Sequence, residues 1–592
     1  MPWLKRLSWL LIIAAIFIVN TNSISDADFW WHLKTGEYLW ETKSIPHQDF
    51  WSHTASGREW TAHEWVPQVI LYGVYRLASF NGLVCFTALM AVATYLILAL
   101  VLKKRKVPGL VIQLVIFLAS VVNAPFFIPR PQLFYFLLWA GLILILTAYD
   151  LGKKWSIYFI PILFIVWANL HASVHLPILA IGLYLAAKAI SGVIHQQNIQ
   201  ALIKKQIILV VLTILGSVSA LLNPNSYRVY TYILKGIPFL SKTSFEITEW
   251  GSMLSNLKIW QPWFYLSFYT FTGLVFTFAF LKTKNKKVLE SGLIALPLIL
   301  ISLMVSKFLP LALILTAISL GISLKELFKK LEKSSFLPVL ALGMGIIFLA
   351  LALLYHYGLG RPIKPAWENF PKQAAEFVKR EKIQGKMFNS YNWGGYLIWK
   401  LLPDYLTFID GRYEMYEPDI TADFEKVREG AENWEEILDK YEISFLFLPP
   451  RDDHQLFVNS GNWILVYFDD RAVVYVKKDD QNQSIIDKFG YHYIRPFWPS
   501  TYAEEEKIEE AIDEYLRSLK NDPNLYKSHY DLGILYFNQE NLERAEFHFR
   551  QAIRIFPKSA AGHYNLAQVL QLRGKTGAAE REIIEYQWLV RE

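Results

Sequence analysis

Eleven apolar runs, separated by short charged or aromatic loops, constrain this chain more than any other feature. They lie near residues 7–24, 82–102, 108–124, 131–149, 156–171, 174–191, 207–222, 261–281, 288–306, 308–324 and 336–357. Most approach the ~20 residues a helix needs to cross the hydrocarbon of a bilayer. No water is available there, so every backbone N–H and C=O must be satisfied inside the segment, and such runs predict transmembrane helices. Composition agrees: 53% of the 592 residues are hydrophobic and 19% charged. A soluble enzyme, a disordered chain and a fibrous repeat are excluded. The first run follows Lys5-Arg6 as a signal peptide would. No small-residue cleavage site follows it, and ten further runs do, so it is read as a span.

Lys and Arg orient the spans. Residues 1–357 carry 29 basic and 13 acidic residues, and residues 358–592 carry 30 and 39. The formal charge of +7 therefore averages two unlike parts and is no nucleic-acid signal. With the N-terminus in the cytoplasm, 19 of the 29 basic residues fall on the cytoplasmic side, against Asp150, Glu290, Glu326 and Glu332. This threading puts two long loops, 25–81 and 223–260, and everything after about residue 358, outside. A multi-pass protein of the plasma (inner) membrane follows. Cys85 is the single cysteine, so no disulfide framework exists within the chain.

Three regions are expected: a polytopic membrane domain over 1–357, an extracytoplasmic α/β domain over 358–490, and repeats over 491–592. In the α/β region, Met387–Asn389, Leu406–Ile409 and Ser444–Leu448 read as buried strands. Trp463–Phe468 and Ala472–Lys477 read as a hairpin, and Tyr396–Leu402 and Asp423–Tyr441 as helices. The tail repeats every 34 residues: Leu532, Gly533, Tyr536, Ala545, Phe549, Ala552 and Pro557, then Leu566, Ala567, Leu570, Ala579 and Ile583. An earlier half-unit supplies Ala511, Tyr515 and Pro523. The period resembles tetratricopeptide repeats, which bind peptides or protein partners or cap a domain.

The first outer loop begins Ser25-Asp26-Ala27-Asp28-Phe29-Trp30-Trp31-His32. Carboxylates at a membrane boundary are costly unless solvated, paired or functional. Asp28 also suits the N-cap of a helix starting at Phe29, with Trp30 and Trp31 in an aromatic belt. Further along, Trp65 to Ala78 reads as an amphipathic surface helix with Val66, Val69, Ile70, Gly73, Val74 and Leu77 on one face.

A carboxylate at the start of the first outer loop, followed by an aromatic-rich amphipathic helix, resembles the GT-C superfamily. Its members are integral-membrane glycosyltransferases that use polyprenyl-phosphate-linked sugars. The stretch Asp28 to Leu39 is similar to the matching loop of oligosaccharyltransferase catalytic subunits. The resemblance implies a base or metal-ligand role for Asp28, with Asp26 as the second choice. Tyr391-Asn392-Trp393-Gly394-Gly395-Tyr396, followed by Asp410-Gly411-Arg412, resembles the place of their acceptor-recognising Trp-Trp-Asp-Tyr-Gly motif. Gly394 stands where that motif has Asp, so acceptor recognition by that residue does not transfer. Gly394-Gly395 also suits a tight turn into a helix. Together with Arg130-Pro131-Gln132, Trp167 to His171, Asn223-Pro224 and Glu249-Trp250, these motifs look like a group of multi-pass bacterial proteins with GT-C-like membrane domains and terminal tetratricopeptide repeats.

The fold expected is thus mainly α: a GT-C-like transmembrane domain, a small α/β domain and a repeat solenoid. The activity expected is transfer of a sugar from a polyprenyl-phosphate donor to an envelope glycan, lipid or protein on the outer face. Arg130, a planar and always charged donor, suits the lipid phosphate, and a snorkelling interfacial Arg is the competing reading. His171, one turn from His175, suits a pyrophosphate or a metal, with interfacial packing as its alternative. Asp49, His53, His63 and Glu64 share the loop of Asp28, and Asp28, Asp49 and His63 are candidate ligands for a divalent cation, Mg or Mn. For His63-Glu64 the alternative is capping of the helix that follows. Glu249 ends the second outer loop and suits closure over substrate. Two other functions compete. One is a non-catalytic scaffold working through its repeats; the other is a polymerase or ligase for lipid-linked oligosaccharides.

Overall fold

The computed structural model describes residues 2–231, 251–256, 260–328, 336–358, 365–450, 455–497 and 505–591. These fall into two compact units. One comprises Met1–Gln48 and Glu59–Ala366, the other Asp49–Arg58 and Trp367–Glu592.

In the first unit, twelve helices follow in order among the described residues: α1 (Pro2–Val19), α2 (Phe29–Thr42), α3 (Trp65–Lys104), α4 (Gly109–Asn123), α5 (Gln132–Asp150), α6 (Ile160–Leu170), α7 (His175–Ile194), α8 (Ile199–Ser219), α9 (Trp260–Thr283), α10 (Lys286–Met304), α11 (Leu309–Leu327) and α12 (Leu337–Gly358). Ten helices among the described residues are long and apolar enough to cross a membrane. The eleventh expected span, 156–171, is shorter. A 3-10 helix over Lys154–Phe159 runs into α6, whose Pro161 suits a first helical turn. Because 3-10 geometry rises faster per residue, the pair reaches about 28 Å. The first helix also sits about five residues earlier than expected. It ends at Val19, after which Asn22 donates from Nδ2 to the carbonyls of Ala124 and Phe127.

At the centre runs α11, buried on every side from Leu309 to Leu324, as an all-apolar helix must be. Around it α1 packs on α12 and on α3, and α10 on α7. Large side chains such as Leu274, Phe278, Ile214 and Leu354 point outward, the surface that lipid covers. The helix ends grouped together by their basic residues do meet. Asp150 pairs with Arg105, Lys188 and Lys287, Lys188 reaches Glu290 at 2.7 Å, and Lys325 donates to the Arg105 carbonyl.

The surface helix from Trp65 is continuous with the next span, broken only at Ala78 and Ser79, where φ is −142° and +55°. Its buried residues are Pro67, Gln68, Leu71 and Tyr72, and the expected apolar face is half-exposed, with Leu77 89% exposed. An interfacial helix keeps its apolar face for lipid, so its other face packs on α2. There the backbones approach closely: a Cβ on Gly36 would lie 2.1 Å from the Gln68 carbonyl.

The second unit holds one four-stranded sheet: β1 (Lys386–Asn389), β2 (Ile443–Leu448), β3 (Trp463–Phe468) and β4 (Val473–Lys477), in the order β1-β2-β4-β3. β1 and β2 are parallel; β4 is antiparallel to both its neighbours. Leu406–Ile409 forms no sheet strand. Asn389, which ends β1, accepts the Phe408 N–H and donates to the Ile409 carbonyl. Thr407 pairs with the loop segment 51–53. The expected helix over 423–441 divides into Asp419–Glu429 and Trp434–Lys440, because Gly430 takes φ +71°. Gly394 and Gly395 lie inside the helix Tyr391–Leu401 instead of a turn, since a Cβ on Gly394 would meet the Ile409 carbonyl at 2.2 Å. Five helices between Ile508 and Arg591 complete the unit. Leu532, Tyr536, Ala545, Phe549 and Ala552 are buried there, and Phe549 packs on Gly533.

Candidate functional site

At the start of α2, Asp26 Oδ1 accepts the N–H groups of Asp28 and Phe29 at 3.0 and 3.2 Å. Asp26 therefore caps the helix, while Asp28, at the N-cap position, makes no side-chain cap bond. Both carboxylates meet one guanidinium. Arg130 Nη1 lies 3.1 Å from Asp26 Oδ2 and Nη2 lies 2.9 Å from Asp28 Oδ2. Pro129 and Pro131 restrict the backbone at Arg130, whose carbonyl takes the Leu133 N–H at the start of α5. The Arg130 side chain is 13% exposed and that of Asp28 28%.

A second cluster forms around Glu64, the residue before α3. Its carboxylate makes no cap bond with the helix. It faces three imidazoles: His171 Nε2 at 3.1 Å, His32 Nδ1 at 3.6 Å and His63 Nε2 at 3.8 Å. His171 follows α6, where Tyr135 packs edge-on against it. Its Nδ1 meets both the Ser173 N–H and Oγ, and Ser173 Oγ accepts from Trp167 Nε1. Burial and the Arg130 charge hold His32 well below the usual imidazole range. Burial, with His63 and Lys307, does the same to His171. Both rings are neutral at physiological pH.

Of the residues singled out in the sequence, the structure brings Asp26, Asp28 and Arg130 together, and Glu64, His63 and His171 together. Asp49 and His53 belong to the second unit. There Asp49 is fully buried and pairs with Arg412, and His53 Nε2 lies 2.9 Å from the Met387 carbonyl. Glu249 lies outside the described residues. The donor set Asp28, Asp49 and His63 does not fit a divalent cation. Asp28 is already paired with Arg130, and Asp49 with Arg412. Among the described residues no group of three or more His, Cys, Asp or Glu side chains is arranged to hold a metal. His32, Gln68 and Ser173 were not singled out. His32 stands one helical turn after Asp28, a spacing that puts both on one side of α2.

Fold and site define a multi-pass membrane protein with an acidic, arginine-bearing site at the first long loop and a repeat-bearing second unit. The architecture is similar to that of solved archaeal oligosaccharyltransferases. The archaeal oligosaccharyltransferase AglB from Archaeoglobus fulgidus, solved with an inhibitory peptide and a dolichol-phosphate, matches 94% of this chain over 86% of its own, with TM-score 0.53 and 10% identity. The apo A. fulgidus oligosaccharyltransferase matches with TM-score 0.50 and 10% identity, over 81% of this chain and 75% of that one. ArnT from Cupriavidus metallidurans, bound to undecaprenyl phosphate, gives TM-score 0.45 at 12% identity, over 81% of this chain and 99% of that one. At 10% identity the likeness to the two oligosaccharyltransferase structures is one of fold. A tetratricopeptide repeat family model matches residues 526–559. No curated protein matches the chain.

Proposed function

We propose that this protein is a membrane glycosyltransferase that moves a sugar from a polyprenyl-phosphate donor to an envelope acceptor (glycan, lipid or protein) on the outer face of the inner membrane. The observation that carries the reading is the Asp26–Arg130–Asp28 cluster at the first long loop. A guanidinium held between two carboxylates is fixed in place, and its planar fork matches phosphate oxygens. As the donor's C–O bond breaks, charge grows on the departing lipid phosphate, and Arg130 stabilises it. Asp28 then faces the side from which the acceptor attacks and orients its hydroxyl or amide. The N-terminus lies in the cytoplasm, the second unit lies outside, and the repeats hold a protein partner.

Deleting the gene and comparing envelope glycans by mass spectrometry tests the reading. One glycan species is expected to disappear, to return with the wild-type gene, and to stay absent with Asp28→Asn. An unchanged glycan profile in the deletion strain overturns it and favours a scaffold.

A further inference from the structure

We propose that Glu64 takes the acceptor's proton during transfer and that His171 is its positioning residue. This rests on the transferase reading above. Three facts about Glu64 carry it.

The first is its orientation. An acid at a helix N-terminus ordinarily binds the open amides of the first turn. Glu64 makes no cap bond, and its carboxylate faces His171, His32 and His63, which come from three separate stretches of chain.

Second, the proton positions on the rings follow from their other partners. A backbone N–H can only donate, so the bond from Ser173 N makes His171 Nδ1 an acceptor. The neutral ring then carries its proton on Nε2, the nitrogen 3.1 Å from Glu64 Oε1. A backbone carbonyl can only accept, so His63 Nδ1 donates to the Thr61 carbonyl, with Nε2 3.8 Å from Glu64 Oε1. Gln68 Nε2 donates to His32 Nδ1, which is therefore the acceptor nitrogen of that neutral ring, 3.6 Å from the carboxylate. One ring holds the carboxylate in place. The other two rings stand within 3.8 Å of it.

Third, the surroundings hold polar atoms that call for a ligand. Gln68 Oε1 and Trp31 Nε1 are buried with no hydrogen-bond partner. Gln68 touches His32 through its other amide atom, and the Trp31 ring lies against His32, tilted by 33°, with centroids 3.6 Å apart. Buried polar atoms are normally satisfied. An acceptor carrying hydroxyl or amide groups supplies both a donor and an acceptor here.

Asp28 is less suited to take the proton. Its Oδ2 already holds the Arg130 guanidinium at 2.9 Å. The acceptor oxygen or nitrogen forms a bond to the anomeric carbon. The bond from that carbon to the phosphate oxygen breaks, and the lipid phosphate leaves with the electron pair. The acceptor's proton passes to Glu64.

The test uses full-length protein in the deletion strain, read by envelope-glycan mass spectrometry, and in nanodiscs, with undecaprenyl phosphate as the binding probe. Glu64→Gln is expected to bind the probe as the wild type does and to form at least tenfold less product, a threshold set below the 10²–10⁴-fold typical of a lost general base. His171→Ala is expected to lower product and move the rising limb of the pH–activity profile upward, because the carboxylate loses its N–H neighbour. His171→Gln, which restores an N–H donor, recovers activity. A Glu64→Gln protein with more than a tenth of wild-type product overturns the inference, as does a His171→Ala profile that does not move. Should Glu64→Gln not fold, Glu64→Asp with lowered product and unchanged binding supports the inference, and full product overturns it. If the wild type neither binds undecaprenyl phosphate nor restores a glycan, the transferase reading itself falls, and this inference with it.

Discussion

Arg412 Nη1 lies 2.7 Å from Asp49 Oδ1, across 363 residues of sequence, and neither side chain is exposed to solvent. The same guanidinium reaches Asp410 Oδ2 at 2.7 Å and lies over the Trp51 ring. The pair ties residues 49–58, a ten-residue stretch of the first loop, into the second unit. Arg58, at the end of that stretch, pairs with Asp419 through Nη2 at 2.6 Å. Asp49 is therefore a structural anchor.

Arg412→Met removes one charge and leaves two buried carboxylates facing each other. Breaking a buried pair costs roughly 3–5 kcal/mol. A clear fall in the melting temperature of the purified protein is expected. An unchanged melt would show that the pair contributes little.

The same pair sets an acid response. Burial alone would push Asp49 up, but the Arg412 charge and the Ser52 hydroxyl hold its carboxyl below the usual carboxylate range. A carboxyl depressed in the folded state contributes stability above its unfolded value, and that contribution is lost as pH falls through the folded value. Wild-type stability is thus expected to drop below about pH 4, and Asp49→Asn to show a shallower acid slope. Melts across the acid range check this, and parallel slopes would refute it.

Gly394→Ala places a methyl 2.2 Å from the Ile409 carbonyl and 2.6 Å from Asp410 Cα. Backbone cannot yield as a flexible side chain does, so a cost of about 1–3 kcal/mol is expected. Gly394→Asp should cost more. Thermal unfolding in detergent measures both.

Arg130→Lys keeps the charge but loses the fork that spans Asp26 and Asp28. A hydrogen bond to a charged group contributes about 1.5–3 kcal/mol, so undecaprenyl phosphate binding should weaken roughly tenfold or more. Equal affinity of the lysine variant, measured in nanodiscs, would remove Arg130 from the phosphate site.

Threading is checked in a Cys85→Ser background. An impermeant thiol reagent is expected to label Arg76→Cys in intact cells, and Lys153→Cys only after the inner membrane is opened. The reverse pattern would invert the orientation.

Much of the fold was legible because its signals are local. A bilayer forces long apolar helices whatever their neighbours are, and a 34-residue period forces stacked helix pairs. The strands at 386–389 and 443–448 were legible for the same reason, as short apolar runs between turns. Leu406–Ile409 has an equally apolar pattern but no sheet neighbour, because the Asn389 side chain and the segment 51–53 take its backbone groups. No window of sequence contains those partners.

The site divides in the same way. Sequence alone put acids at the head of the first loop, an arginine between prolines and a pair of histidines one turn apart. Only tertiary structure decided the partners. It made Asp26 the helix cap and turned Asp28 to Arg130. It took Asp49 into the second unit and surrounded Glu64 with His32, His63 and His171. Helix formation depends on the chain's own hydrogen bonds within a few residues, whereas a carboxylate's role depends on which charge folding brings within about 4 Å of it.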